Sequence, residues 1–182
     1  MSLIKSISGI RGTIGGKSGE ALTPIDIAKF TLAYGTILKP KDGTAKIVVG
    51  RDARISGEMV HNIIIGNLLS IGIDVIDLGL ATTPTVEIAV KAEQADGGII
   101  ITASHNPKQW NAMKLLNSDR EFISEKIGQD VLKKANSGKF EFVDVDKLGQ
   151  VTTKDYLDYH IEQILKDVLV DVEAITAKKF KI

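Results

Sequence analysis

The stretch GIIITASHNP, residues 98–107, joins a short apolar run directly to a group of polar residues. Residues 99–102 are apolar or β-branched, which is typical of a strand buried on both faces of a parallel sheet. Residues 104–106 supply a hydroxyl, an imidazole and an amide, and Pro107 cannot continue a central strand. Because ligands bind outside the carboxyl ends of strands in such sheets, this junction is a candidate functional site.

The sequence on either side alternates between helical and strand patterns. Helices are predicted near 23–38, 56–71, 83–97 and 123–135, and strands at 46–50, 74–78 and 99–102. Ser56 is predicted to cap the second helix. Strands separated by helices of three or four turns form βαβ units, so the predicted fold class is α/β with a parallel sheet. A polar loop at 50–57 is expected at the same sheet edge as residues 102–107.

The composition is that of an ordinary globular protein, with 182 residues that are 43% hydrophobic and 25% charged. Lys and Arg number 23, as do Asp and Glu, and this balance argues against a nucleic-acid partner. The absence of cysteine excludes disulfides and thiolate catalysis. The first residues lack the apolar core of a signal peptide, and the apolar runs are too short to span a bilayer. We therefore expect a cytoplasmic protein without a membrane partner.

Two glycine-containing segments near the start suggest anion binding. Residues 15–18, GGKS, resemble part of a P-loop, but the position that requires the first glycine holds Arg11, and no strand is recognised before it. A glycine-rich surface loop is the favoured interpretation. Residues 9–12, GIRG, permit a sharp turn that brings Arg11 to a small anion, but the pattern alone favours a solvent-exposed arginine in a turn.

The histidines offer no metal site by their spacing. His61 and His160 lie within predicted helices, where a partly buried structural role is expected. No His-x-x-x-His pair occurs, so a histidine-based metal site is not expected.

Ser104 is the strongest candidate for covalent chemistry. A serine hydrolase needs Gly-x-Ser-x-Gly, but Thr102 and Asn106 occupy the glycine positions. His105 is adjacent in an extended segment and therefore points away from its own serine neighbour. Without an activating base, the hydroxyl is better suited to carry a phosphoryl group.

A phosphorylated serine bears about −1.5 to −2 charges and requires nearby cations. The sequence offers four candidates, namely Arg11, Arg51, Arg54 and Lys114. The alternative interpretation of residues 102–107, taken alone, is a polar turn after a strand.

Residues 102–107, TASHNP, resemble the phosphoserine loop of the α-D-phosphohexomutases, which include phosphoglucomutase, phosphomannomutase and phosphoglucosamine mutase. Three further motifs resemble this family and occur in its order: residues 9–12, residues 50–57 (GRDARISG) and residues 110–114 (WNAMK). Trp110 replaces the usual tyrosine or phenylalanine. Ala112 replaces a glycine, so its backbone must avoid positive φ.

The resemblance implies a three-layer α/β/α domain with a mostly parallel mixed sheet, the first domain of a phosphohexomutase. Ser104 would carry the phosphate and pass it to a sugar hydroxyl, so that a bisphosphorylated hexose links the hexose 1- and 6-phosphates. Arg11 and Lys114 would act with Ser104 in catalysis, by neutralising phosphate charge and, for Lys114, by assisting proton transfer. His105 and Asn106 would hold the loop or bind the phosphosugar, and Arg51 and Arg54 would bind the phosphosugar or its phosphate.

The same resemblance implies Mg²⁺, with one ligand from the phosphate on Ser104 and the rest from an Asp-Gly-Asp-x-Asp-Arg loop. No such run occurs in this sequence. The expected division is a first domain at 1–150, followed by a linker helix and the start of a second domain at 151–182. The chain alone is expected to be inactive, and self-association through the apolar stripe at 156–168 is expected. Residues 178–182 predict a strand. A stand-alone phosphosugar-binding or regulatory module is the alternative.

Overall fold

The computed structural model describes residues 1–6, 9–40 and 43–181, and one mixed sheet is its central element. The strands are β1 (Leu3–Ser6), β2 (Gly9–Thr13), β3 (Ala45–Arg51), β4 (Ile73–Leu80), β5 (Gly97–Ile101), β6 (Trp110–Asn117) and β7 (Val151–Thr153). The helices are α1 (Pro24–Leu38), α2 (Gly57–Ser70), α3 (Thr83–Ala92), α4 (Glu125–Ser137), α5 (Leu157–Leu165) and α6 (Val172–Lys178), with a 3₁₀ turn at Val145–Lys147.

The sheet has the strand order β1-β2-β6-β5-β3-β4-β7. Strand β3 pairs in parallel with β4 and β5, and β4 pairs in parallel with β7. The other three pairings are antiparallel: β1 with β2, β2 with β6, and β6 with β5. The predicted α/β class and mixed sheet are confirmed. The antiparallel part is larger than the sequence indicates, because β1, β2 and β6 are not recognised there as strands.

Helices cover both faces of the sheet and bury one apolar cluster on each. The larger cluster lies under α1, α2 and α4, and the smaller one lies under α3. Tyr34, fully buried on α1, places its hydroxyl 2.6 Å from the carbonyl oxygen of Leu116 and 3.0 Å from that of Gly98. Burial raises the pKa of this hydroxyl. Because helices cover both faces of the sheet, the layer order is α/β/α, as expected.

The end of α3 and the start of β5 differ from the prediction. The helix predicted at 83–97 ends at Ala92, and the strand predicted at 99–102 already begins at Gly97. A Cβ on Gly97 would lie 2.3 Å from the Tyr34 hydroxyl, so the glycine is needed where the strand crosses this buried ring. The glycine pair therefore belongs to the strand and not to a helix end.

Helices α1 and α2 begin differently. Thr23 caps α1 in a capping box with Asp26, and the two side chains share a short hydrogen bond. Ser56 makes no capping hydrogen bond, so that prediction is wrong. Its hydroxyl instead accepts a hydrogen bond of 2.9 Å from Nδ2 of the buried Asn111. Ser56 thus links the loop before α2 to strand β6.

Residues 151–181 first extend the sheet and then leave it. Strand β7 follows the predicted boundary at residue 150 and pairs with β4, while the boundary itself stays a prediction. The helix predicted at 156–168 ends at Leu165. The strand predicted at 178–182 is wrong within the described residues, because Lys178 ends α6 and Lys179 is left-handed, at φ 48°; residue 182 lies outside them. No helix among the described residues is long and apolar enough to cross a membrane.

Candidate active site

The candidate site lies at the carboxyl ends of β5 and β3, where the sequence predicts it. Arg51 at the end of β3 pairs with Ile101 at the end of β5, so the loops that follow both strands start side by side. The backbone N–H of Asp52 donates to the carbonyl oxygen of Ile101 at 3.0 Å. The predicted convergence of 50–57 with 102–107 is confirmed.

Ser104 has a strained backbone at the tip of its loop. Its φ is 51°, in the left-handed region that side-chain-bearing residues rarely adopt. Its N–H donates to Thr102 Oγ1 at 3.1 Å, and both the N–H and Nδ2 of Asn106 donate to the carbonyl oxygen of Ala103. Such outliers cost about 1–3 kcal/mol and cluster at functional sites. The loop therefore turns tightly and leaves the Ser104 side chain exposed.

Arg11 lies on strand β2, and not in the turn that its flanking glycines predict. Gly9 pairs with Lys114, and Arg11 pairs with Ala112. Paired residues point to the same face of a sheet, so Arg11 and Lys114 lie on one face. A Cβ on Gly9 would lie 2.1 Å from the carbonyl oxygen of Met113, so glycine is required by the close approach of β6.

The expected restriction at Ala112 is met, because it lies in β6 and is not among the positive-φ residues of the described chain. A strand, β2, does precede the glycine-rich loop at 15–18, contrary to the prediction. The P-loop interpretation still fails, because α1 begins only at Pro24.

A cavity of about 450 Å³ joins these elements beside the Ser104 loop. Its lining includes five of the predicted site residues: Arg11, Ser104, His105, Asn106 and Lys114. Among the described residues, the side chains of Arg11 and His105 have no protein hydrogen-bond partner. Arg11 and Lys114 therefore bring two cationic groups to the cavity that Ser104 also lines.

Lys114 also contacts groups that the sequence does not single out. Its Nζ lies 5.9 Å from the centre of the Phe122 ring, within cation–π range. Burial raises the pKa of Glu87 on α3, while the positive charges of Lys114 and Arg120 act in the opposite direction. These partners come from elements far apart in the sequence, and no local motif identifies them.

Arg51 and Arg54 differ sharply in their surroundings. Arg51 Nη1 donates to the carbonyl oxygen of Asp52 at 3.3 Å, and the same side chain lines a second cavity of about 400 Å³. Arg54 instead turns toward the Ser104 loop and donates to its carbonyl oxygens, including that of Ser104 at 2.6 Å. Its Nε lies 3.2 Å from Asp52 Oδ2.

The two other histidines have structural partners, as predicted. His61 is buried, with Nε2 2.8 Å from Asp77 Oδ1. His160 on α5 places Nδ1 2.9 Å from the Thr85 hydroxyl on α3. In the part of the chain that the structure describes, no group of three or more His, Asp or Glu side chains could hold a metal ion.

The segment after β7 is fastened to α3 by a polar cluster. Lys154 Nζ lies 2.8 Å from both carboxylate oxygens of Glu93, and the Tyr156 hydroxyl makes a short hydrogen bond to the same carboxylate. Burial raises the pKa of Glu93, but these hydrogen bonds outweigh it, and the pKa lies below its usual value. The cluster fixes the start of α5 against the domain.

A family model described as phosphoglucomutase/phosphomannomutase, alpha/beta/alpha domain I, matches residues 3–142. The phosphoglucomutase/phosphomannomutase of Thermococcus kodakarensis is 39% identical over 172 residues, which cover 92% of this chain and 37% of that protein. The phosphoglucosamine/phosphogalactosamine mutase of Sulfurisphaera tokodaii is 33% identical over 184 residues, which cover 100% of this chain and 38% of that protein.

The fold is also found in a crystal structure of a phosphoglucomutase/phosphomannomutase family protein from Burkholderia thailandensis, with a TM-score of 0.72 and 26% identity. That match covers 90% of this chain and 36% of the other. This chain therefore spans less than two fifths of the length of these relatives. The family model, the relatives and the four motifs agree: the chain belongs to the phosphoglucomutase/phosphomannomutase family and contains its first α/β/α domain.

Proposed function

We propose that this chain carries the phosphorylated nucleophile of a phosphohexomutase, with Ser104 as the phosphate-bearing residue. The observation that carries the proposal is the strained, exposed Ser104 beside a cavity lined by Arg11 and Lys114. Strain at an exposed position gives no packing benefit, since the side chain contacts solvent. It does fix the direction of a reacting hydroxyl, which is a recurrent use of such backbone outliers.

The reaction transfers the phosphoryl group between Ser104 and a hexose phosphate. The P–O bond to Ser104 Oγ breaks as a bond from phosphorus to a sugar hydroxyl forms, and the hydroxyl proton ends on Oγ. The resulting hexose bisphosphate returns its other phosphate to Ser104, which interconverts the 1- and 6-phosphates. Lys114 lines the same cavity and is the candidate to assist the proton transfer.

Charge neutralisation is the second contribution of this site. A phosphoserine adds about −1.5 to −2 charges. Arg11 and Lys114 reach the same cavity from adjacent strands and would neutralise this charge in both the phosphoserine and the transferring group. His105 and Asn106 line the cavity beside Ser104 and would contact the phosphosugar.

Phosphohexomutases use Mg²⁺, and the residues of this chain do not by themselves fit such an ion. Mg²⁺ requires several oxygen ligands, but the described residues contain no group of three acidic or histidine side chains able to hold it. Within this chain, the phosphate on Ser104 is the proposed contribution to the metal. We infer that the 182-residue chain alone has no mutase turnover.

The division of the chain and its self-association are also proposals. Residues 1–150 form the proposed first domain, and 151–182 the connection to a second. The apolar residues of α5 are about half exposed, including Leu157 and Ile161, and a second copy could cover them. Sedimentation equilibrium tests this proposal, because Ile161→Lys should convert a dimer to a monomer.

The phosphoenzyme test uses the complete gene product and a hexose 1,6-bisphosphate labelled with ³²P. We expect one phosphate per protein, recovered by mass spectrometry on Ser104, and none in Ser104→Ala. Lys114→Met should still fold and should acquire the label at least a hundredfold more slowly. Label on another residue, or full labelling of Ser104→Ala, would overturn the proposal.

A further inference from the structure

The Arg54 guanidinium donates hydrogen bonds to four carbonyl oxygens in and directly after the loop that contains Ser104. Its Nη2 donates to the carbonyl oxygens of Ser104 and Asn106, at 2.6 and 2.7 Å. Its Nη1 donates to those of Pro107 and Trp110, at 3.0 and 3.2 Å. Four carbonyl groups within seven residues of chain therefore converge on one cation from a different loop.

Four of the five N–H donors of Arg54 are committed to hydrogen bonds with protein groups. A guanidinium has five N–H donors and no acceptor, and the four on its terminal nitrogens are matched by the four carbonyl oxygens. The fifth, on Nε, is buried and makes no hydrogen bond within the described residues, although it lies at ion-pair distance, 3.2 Å, from Asp52 Oδ2. The side chain is only 13% exposed. A phosphate could reach Arg54 only by displacing the loop, so this geometry argues against the phosphate-binding role that the sequence suggests.

Arg51 provides the contrast from the same segment. Within the described chain its guanidinium makes one hydrogen bond to protein, from Nη1 to the carbonyl oxygen of Asp52. Most of its donors therefore remain for a ligand. Two arginines three positions apart thus differ in their hydrogen-bond partners, although the sequence pattern alone treats them alike.

We propose that Arg54 is a positioning residue that holds Ser104 in its left-handed conformation. Four carbonyl dipoles pointing to one place repel each other, and the cation offsets this repulsion. Without it the loop would relax and Ser104 would leave φ 51°. The hydrogen bond from Asn111 to Ser56 joins the loop before α2 to β6, directly after the Ser104 loop, and supports this arrangement. The catalytic consequence rests on the proposed function of Ser104.

Hydrogen exchange tests the positioning role without any ligand. The amides of Asn106 and Trp110 donate to carbonyl oxygens within the loop, at 3.0 and 2.9 Å. In Arg54→Lys we expect both amides to exchange at least tenfold faster than in the wild type, while the amides of β3 are unchanged. Arg51→Lys is the matched control and should leave loop exchange unaltered. Unchanged exchange at Asn106 and Trp110 in Arg54→Lys would overturn the inference.

The kinetic test separates positioning from phosphate binding. In the complete gene product, Arg54→Lys should lower kcat at least tenfold and change KM less than threefold, whereas a lost phosphate ligand would raise KM with kcat retained. Guanidinium ion at millimolar concentration should restore part of the kcat of Arg54→Ala and none of that of Arg51→Ala. If Arg54→Ala does not fold, the Arg54→Lys results decide. A wild-type protein that takes no phosphate would refute the proposed function, and the exchange experiment would still decide this inference.

Discussion

Replacing Ser104 by glycine should make the protein more stable while it abolishes the phosphoenzyme. The left-handed conformation at φ 51° costs a residue with a Cβ about 1–2 kcal/mol, and glycine is free of this cost. Glycine loses about 0.5–1 kcal/mol more backbone entropy on folding. Because the Ser104 side chain is exposed, little packing is lost. The expected net gain is therefore roughly 0.5–1 kcal/mol.

Ser104→Ala is the matched control, because alanine keeps the strain and removes the same hydroxyl. For a domain of this size, 1 kcal/mol corresponds to about 2–4 °C in Tm. Ser104→Gly should thus melt about 1–4 °C above Ser104→Ala, which should itself match the wild type. Urea unfolding, with equal m-values for the three proteins, gives the free energies directly. A glycine variant that is less stable than the alanine variant would refute the claim that this serine is strained.

Three other changes have expected outcomes. Gly9→Ala places a Cβ 2.1 Å from the Met113 carbonyl oxygen and should destabilise the fold by about 2 kcal/mol or more. Gly66→Ala, which has open space around it, should not destabilise the fold. Equal free energies of unfolding for the two variants in urea titration would contradict this prediction. The pKa of Glu93 is lower in the folded protein than in the unfolded chain. Its carboxylate therefore contributes to stability above the pKa of the unfolded state, and this contribution is lost as the pH falls through the pKa of the folded state. Glu93→Gln should therefore flatten the loss of stability below about pH 5, and an unchanged acid profile would count against the Lys154 pairing. Asn111→Ala removes the bond to Ser56 and leaves a buried site underfilled, so it should cost about 1–3 kcal/mol by thermal unfolding, against nearly nothing for the exposed Asn136→Ala.

The elements that the sequence predicts are those whose local pattern and tertiary setting agree. Strand β3 and helices α1 and α4 combine a clear apolar period with recognisable ends, so they were expected close to their observed positions. Strands β1 and β2 were missed, because β2 contains two glycines and both strands depend on tertiary pairing, β1 with β2 and β2 with β6. Gly97 and Gly98 resemble a helix end, although both lie in β5, where a Cβ on Gly97 would collide with the buried Tyr34 hydroxyl and one on Gly98 with Val90.

The sequence predicts which residues form the site, but it does not predict the different surroundings of each residue. The motif at 102–107 and the strand-end rule locate Ser104 and its loop from sequence. The positive φ of Ser104 has no signature in residue identity, since serine rarely adopts it. The separate surroundings of Arg51 and Arg54 depend on where the next loop folds, and the proximity of Phe122 to Lys114 depends on a turn several residues later. These are tertiary facts that no local pattern contains.

The central claim is that Ser104 passes its phosphoryl group to a sugar at the rate of turnover. The most direct test is a rapid-quench chase, in which the complete gene product, labelled with ³²P on Ser104, is mixed with unlabelled hexose 6-phosphate. We expect the label to leave Ser104 and appear in hexose bisphosphate at least as fast as kcat. Label that stays on the protein through many turnovers, or that leaves as inorganic phosphate alone, would contradict the account.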